Sequence, residues 1–242
     1  MTAPALFIHG TFGRASHLHP LMERFTAAGY ACVAESLPGH EPSDPTALGS
    51  LELKDYLAAL ERIRAAMPVP PVIVGHSMGG LLGQQLAASG PCAALVCLAT
   101  APSGPVMPQI RSLVDLIPML PPFLLGTPFR PTLSAFSHMA AQDVPAYEQR
   151  QIFDTIGYES VRAYRSMVFG TRAVAVGPVR CPMLCITAGD DRMIARSTSN
   201  RTVARHRADH VVLEGRGHWL VARYGVEQVA GAALRWLERV LS

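Results

Sequence analysis

Gly75-His76-Ser77-Met78-Gly79 sets a serine between two glycines at the spacing G-x-S-x-G. This spacing suits a nucleophile on a sharp turn between a strand and a helix. There the central backbone is strained, and side chains at the flanking positions would clash with both elements. The serine is lifted clear of the sheet, at the positive end of the helix. Its hydroxyl is a weak nucleophile until a base within hydrogen-bond reach takes its proton. The chemistry in prospect is therefore acyl transfer, with a base drawn from elsewhere in the chain. Taken alone, the pattern also fits a glycine-rich packing turn with an ordinary serine.

Other reactive residue types offer less. Cys32, Cys92, Cys97, Cys181 and Cys185 lie mostly in apolar runs and read as small buried hydrophobes of a reduced protein. Cys181 and Cys185 lack His or Cys partners at zinc-like spacing. Lys54 is the only lysine, the other 20 basic residues being arginines, so any mechanism needing a lysine must use it.

The elements around the serine follow from the apolar pattern. Leu6–Ile8, Tyr30–Ala34, Pro71–Val74 and Ala94–Ala99 read as strands, and the third runs directly into the Gly75–Gly80 turn. Helical spacing covers Leu18–Ala28, Leu51–Met67 and Leu81–Ala88. Near the C-terminus, Met183–Thr187 and His210–Leu213 read as strands, followed by a helix over Val226–Leu241. Such alternation implies right-handed βαβ units and a parallel sheet covered on both faces. Nine of the 20 prolines lie between Pro102 and Pro145, followed by two short helical patterns at Ala146–Ile156 and Ser160–Phe169. Prolines keep helices short and cannot serve a central strand. Residues 103–177 thus read as a helical cap inserted in a core made of residues 1–102 and 178–242.

The 242 residues are 49% hydrophobic and 16% charged, enough for a sizeable single core and too apolar for a disordered segment. The net charge of +3 is scattered rather than clustered, which argues against nucleic acid as a partner. The N-terminus has no basic segment, and its apolar run stops at His9, unlike a signal peptide. Longer apolar stretches are broken well short of a membrane span. A cytoplasmic protein is expected; oligomeric state is not legible.

With these elements around Gly75–Gly79, the chain resembles the α/β-hydrolase superfamily over nearly its whole length, in particular its small serine esterases and lipases. The resemblance implies a mostly parallel sheet of about six strands flanked by helices. It also implies a helical cap after the strand that follows the nucleophile helix. Ser77, an Asp within Gly189-Asp190-Asp191-Arg192, and His218 within Gly215-Arg216-Gly217-His218 follow the family's Ser–Asp–His order. The acid follows a strand at its C-terminal end, where α/β sheets place ligands. The register favours Asp191 over Asp190, because Arg192-Met193-Ile194 matches the run after the family's acid. Asp190 beside Gly189 then serves the turn. His218 would be the base, and Asp191 would hold its tautomer. The oxyanion hole would use the Met78 N–H and, from His9-Gly10-Thr11-Phe12-Gly13, the Thr11 N–H in preference to that of Phe12. His9 and His76 would support their loops through hydrogen bonds.

Two departures stand out. Relatives carry an Asp-x-x-Gly-His-Gly-like turn after the second strand, whereas this chain has Ser36-Leu37-Pro38-Gly39-His40-Glu41. Ala195 stands where relatives often have proline. The function implied is cleavage of a small-molecule carboxylic ester through an acyl-enzyme, without metal or cofactor. Thioesterases, carbon–carbon bond hydrolases and cofactor-free perhydrolases would use the same triad, and a non-catalytic receptor could share the scaffold. Dehalogenases and epoxide hydrolases of this fold need Asp at the Ser77 position, and hydroxynitrile lyases need a lysine near the triad. Leu113, Leu116, Ile117, Met119, Leu120, Phe123 and Leu124 are expected either to form an apolar lid over the nucleophile or to pack the cap onto the core.

Overall fold

Short apolar runs pair into one sheet in the computed structural model, which describes residues 3–41, 43–106, 109 and 112–242. The strands are β1 (Ala5–Ile8), β2 (Cys32–Ala34), β3 (Val72–His76), β4 (Ala94–Leu98), β5 (Met183–Ala188) and β6 (Asp209–Leu213). They lie in the order β2-β1-β3-β4-β5-β6, and every pairing is parallel. β1, β3, β4 and β5 are buried throughout, whereas the edge strands β2 and β6 are partly open. A parallel sheet covered on both faces needs apolar residues at every position, which is why the central strands read as unbroken runs. Alternate residues point to opposite faces. Phe7, Val74 and Val96 therefore enter one core, and Leu6, Ile8, Ile73 and Leu95 the other.

Helices α1 (His19–Ala27), α2 (Pro45–Leu48), α3 (Leu53–Ala65) and α4 (Met78–Ser89) alternate with the first strands. Between β4 and β5 the chain builds α5 (Leu113–Leu116), α6 (Leu120–Leu125), α7 (Leu133–Met139), α8 (Ala146–Thr155) and α9 (Val161–Phe169). Proline sets their lengths. α6 accepts Pro121 and Pro122 because its first turn has no internal N–H bonds to lose. Thr132 and Ser160 cap α7 and α9, their side chains accepting from the N–H groups of Ala135 and Ala163.

α10 (Arg196–His206) and α11 (Val226–Leu241) complete the chain. The hydrophobic pattern does not announce α10, because its buried face consists of Thr198, Ser199 and Thr202. Pairing of β2 begins at Cys32, two residues later than the apolar run suggests. Among the described residues no helix is long and apolar enough to cross a membrane.

Candidate active site

Ser77 is the single residue between the end of β3 and the start of α4, at φ 55° and ψ −118°. A non-glycine residue at positive φ is strained and persists only where the surroundings over-determine it. Here the Ser77 N–H donates to the Leu98 carbonyl at 2.9 Å, and its own carbonyl accepts from Ala101 N–H at 3.0 Å. A Cβ at Gly79 would lie 2.2 Å from the Ile8 carbonyl oxygen, and one at Gly75 would lie 2.3 Å from that of Gly79. Only glycine lets strand, turn and helix approach this closely.

His218 lies beyond β6 and faces the serine, its Nε2 2.9 Å from Ser77 Oγ. Its Nδ1 is 2.7 Å from Asp191 Oδ2. All three residues are buried. The second Asp191 oxygen, Oδ1, accepts from the N–H groups of Met193 at 2.7 Å and Ile194 at 2.8 Å, which fixes the carboxylate plane. Asp190 is exposed and acts through its backbone, donating to the Arg216 carbonyl and accepting from Gln142 Nε2.

The His218 loop is anchored on three sides. His76 Nε2 donates to the His218 carbonyl at 2.9 Å, and Trp219 N–H donates to the Ala140 carbonyl at 2.8 Å. The buried Arg216 pairs with Asp143 at 2.6 Å and donates to the carbonyls of Tyr224 and Gly225. Burial, reinforced by nearby His218, lowers the His76 pKa to about 3. His76 is therefore neutral, and its one proton sits where the His218 carbonyl needs it. Asp143 lies in no motif, and Arg216 enters only as the variable position of Gly215-Arg216-Gly217-His218, so the sequence assigns neither a role.

No acceptor among the described residues takes the N–H of Met78, Thr11 or Phe12. Phe12 sits at φ 63°, and its carbonyl accepts from Gly157 N–H at 2.9 Å. Behind this loop, His9 Nε2 accepts from Leu37 N–H at 2.9 Å, and burial pushes its pKa well below the usual imidazole value. The His40 ring packs edge-on against His9 at 5.0 Å. His40 Nε2 meets Glu159 Oε2 at 3.2 Å, while Tyr56 OH donates to Glu159 Oε1 at 2.9 Å. Burial alone would lower the His40 pKa, yet the Glu159 carboxylate outweighs it and raises it. Ser36 and Glu41 prove to be partners. Ser36 Oγ donates to Glu41 Oε2 at 2.5 Å and accepts from Ala15 N–H.

A pocket of about 30 Å³ opens at Ser77, walled by Phe12, Phe136, Met139, Tyr164, Met193 and Trp219 among others. Of the seven apolar residues expected over the nucleophile, only Met119 reaches this wall. Leu116, Leu120 and Phe123 line a neighbouring cavity, whereas Leu113, Ile117 and Leu124 are exposed. The wall at Ser77 comes instead from α7 and the residues flanking it. There Phe136, Met139 and Ala140 recur at the i, i+3, i+4 spacing that marks a helix face.

Lys54 is exposed on α3, paired with Glu52 at 3.0 Å, and lines neither cavity. Cys181 Sγ lies 2.9 Å from Cys92 Sγ, and Cys185 pairs in register with Cys97 across β4 and β5. Among the described residues, no three His, Cys, Asp or Glu side chains are grouped as metal ligands would be.

Known proteins share this architecture. A methylesterase from Arabidopsis superposes with a TM-score of 0.78 at 16% identity, covering 98% of this chain and 99% of that one. Tomato methylketone synthase I in complex with 2-tridecanone gives 0.75 at 15% identity, covering 99% of each chain. The pyrethroid hydrolase of Sphingobium wenxiniae is 29% identical over 75 residues, which span 31% of this chain and only 27% of that protein's length. The sequence pattern of the alpha/beta hydrolase family matches residues 5–232. By the extent of that match and by its sheet, the chain belongs to the alpha/beta hydrolase family.

Proposed function

We propose that the protein hydrolyses carboxylic esters through an acyl-enzyme, with Ser77 as nucleophile, His218 as base and Asp191 as the triad acid. The observation carrying this reading is the unbroken chain from Asp191 Oδ2 to His218 at 2.7 Å and from His218 to Ser77 Oγ at 2.9 Å, opening on a pocket. With Asp191 accepting from Nδ1–H, Nε2 carries the lone pair. It takes the Ser77 proton as Oγ attacks the ester carbonyl, then returns it to the departing alcohol. The negative oxygen of the tetrahedral intermediate meets the N–H groups of Met78 and Thr11, each worth about 3 kcal/mol in such sites. Water then repeats the sequence against the acyl group. Residues 103–177 act as a cap on a core of 1–102 and 178–242.

The apolar walls favour small to medium apolar or aromatic esters over charged or sugar esters. Similarity to a methylesterase and to a pyrethroid hydrolase supports the bond type. The test is turnover of a chromogenic ester together with labelling by a serine-directed organophosphate, read by mass spectrometry. One adduct at Ser77 with loss of turnover is expected; labelling elsewhere with activity retained refutes the reading. A parallel thioester, amide and carbon–carbon panel separates the bond classes sharing this triad.

A further inference from the structure

Beside the Ser77 pocket lies a second cavity of about 170 Å³, with walls from α5, α6 and α9. The two spaces share four side chains, Met119, Met139, Tyr164 and Met193. Three of the four are methionines, whose unbranched chains repack around different shapes at little cost. The fourth is held: the Tyr164 ring packs edge-on against Phe129 at 5.0 Å.

The volumes divide the work. About 30 Å³ at Ser77 is room for about two waters, too little for a ring or an alkyl chain. About 170 Å³ compares with the roughly 150 Å³ of an aliphatic cavity known to take up benzene. Among the described residues its lining is apolar apart from Gln109, Ser112, Arg192 and the hydroxyl of Tyr164. Arg192, the only charged residue in it among those described, donates to the His138 carbonyl at 2.9 Å.

We infer that this far cavity is the subsite for the larger arm of the ester, an uncharged apolar group of about six carbons as ring or chain. The arm passes between Met119, Met139 and Met193, and only a small group remains beside Ser77. The inference rests on the ester-hydrolase reading and adds the size asymmetry of the substrate.

Two matched series test it on the full chain: methyl esters of straight-chain acids from acetate to decanoate, and acetates of straight-chain alcohols from methanol to octanol. In one series kcat/KM should climb about fourfold per added CH₂, the gain from burying one methylene, and level off once the cavity is full. The rising series identifies the arm. Val168→Trp fills the cavity from α9 and should lower the ratio of kcat/KM for the six-carbon arm over the shortest by tenfold or more. Phe123→Ala enlarges it and should move the optimum to longer arms.

Two flat series, or ratios unchanged in both variants at wild-type Tm, overturn the inference. If no ester is turned over, the ester reading fails separately. The cavity is then read in Ser77→Ala carrying ¹³C-methyl leucine and valine and titrated with 1-hexanol. Shifted Leu116, Leu120 and Val168 signals, from side chains that line this cavity and not the Ser77 pocket, support the subsite, and unmoved signals overturn it.

Discussion

Asp191→Asn keeps the shape of the side chain and reverses the order of protons in the site. Oδ1 faces two fixed donors, the N–H groups of Met193 and Ile194 at 2.7 and 2.8 Å. An asparagine must turn its carbonyl toward them, which leaves its NH₂ against His218 Nδ1, where the carboxylate oxygen now sits at 2.7 Å. The NH₂ donates, so Nδ1 must accept and the ring proton moves to Nε2. Nε2 then presents a hydrogen to Ser77 Oγ at 2.9 Å and cannot take the serine proton. The expected loss is about 10⁴ in kcat, or about 5.4 kcal/mol of transition-state stabilisation. Asp190→Asn alters an exposed side chain whose backbone makes the structural contacts, and should cost about twofold. The assay is kcat on a chromogenic ester, normalised by active-site titration, with Tm recorded for each variant. A larger loss at Asp190, or an Asp191→Asn enzyme within tenfold of wild type, refutes the reasoning.

Ser77→Ala should abolish ester turnover and sulfonyl fluoride labelling while leaving Tm nearly unchanged, since the hydroxyl faces the pocket and the change removes one hydrogen bond, to His218; retained turnover would exclude a covalent route through this residue. Gly79→Ala pushes a Cβ to 2.2 Å from the Ile8 carbonyl oxygen and should cost more than about 4 kcal/mol or prevent folding, by denaturant melts. Gly104→Ala, whose added Cβ would have no atom of the described residues within 4 Å, should change stability by less than about 0.5 kcal/mol. Burial lowers the His76 pKa from 6.5 to about 3, so between those values the unfolded chain binds a proton that the folded chain does not. The associated stability is fully present above pH 6.5 and lost as the pH falls toward 3, at up to about 1.4 kcal/mol per unit. His76→Gln supplies an N–H for the His218 carbonyl without titrating, and should flatten the acid slope of urea-derived stability by that amount. An unchanged slope would show that another group carries it.

The sheet was legible because burial on both faces leaves a simple trace: unbroken apolar runs ending in glycine-rich or polar turns. Ser77 was legible for a related reason, since the strained turn tolerates only glycine at 75 and 79. Asp191 could be chosen over Asp190 only by register; the cause, two backbone N–H groups holding one carboxylate oxygen, belongs to the folded loop. α10 carries no apolar periodicity because hydroxyl residues form its buried face. The apolar content of Leu113–Leu124 points to that proline-rich segment as a wall over Ser77, whereas the periodic signal lies at Phe136, Met139 and Ala140. Glu159 left no trace in the sequence. Its partners His40 and Tyr56 lie 119 and 103 positions away, a separation that no local pattern spans.

Ser77 and His218 are separated by 141 positions, with helices α5 to α9 between them. The strained turn is built by β1, β3, β4 and α4, whereas His218 follows β6 and can meet Ser77 only in a chain where β5 and β6 have joined the sheet. Parallel strands joined across long segments close slowly, because loop entropy is lost before the contacts that repay it form. A chain interrupted near residue 180 would hold an exposed, unactivated serine. Reactivity toward an organophosphate would thus report completion of the molecule rather than of any one element, and its time course after dilution from denaturant would trail the recovery of helical signal.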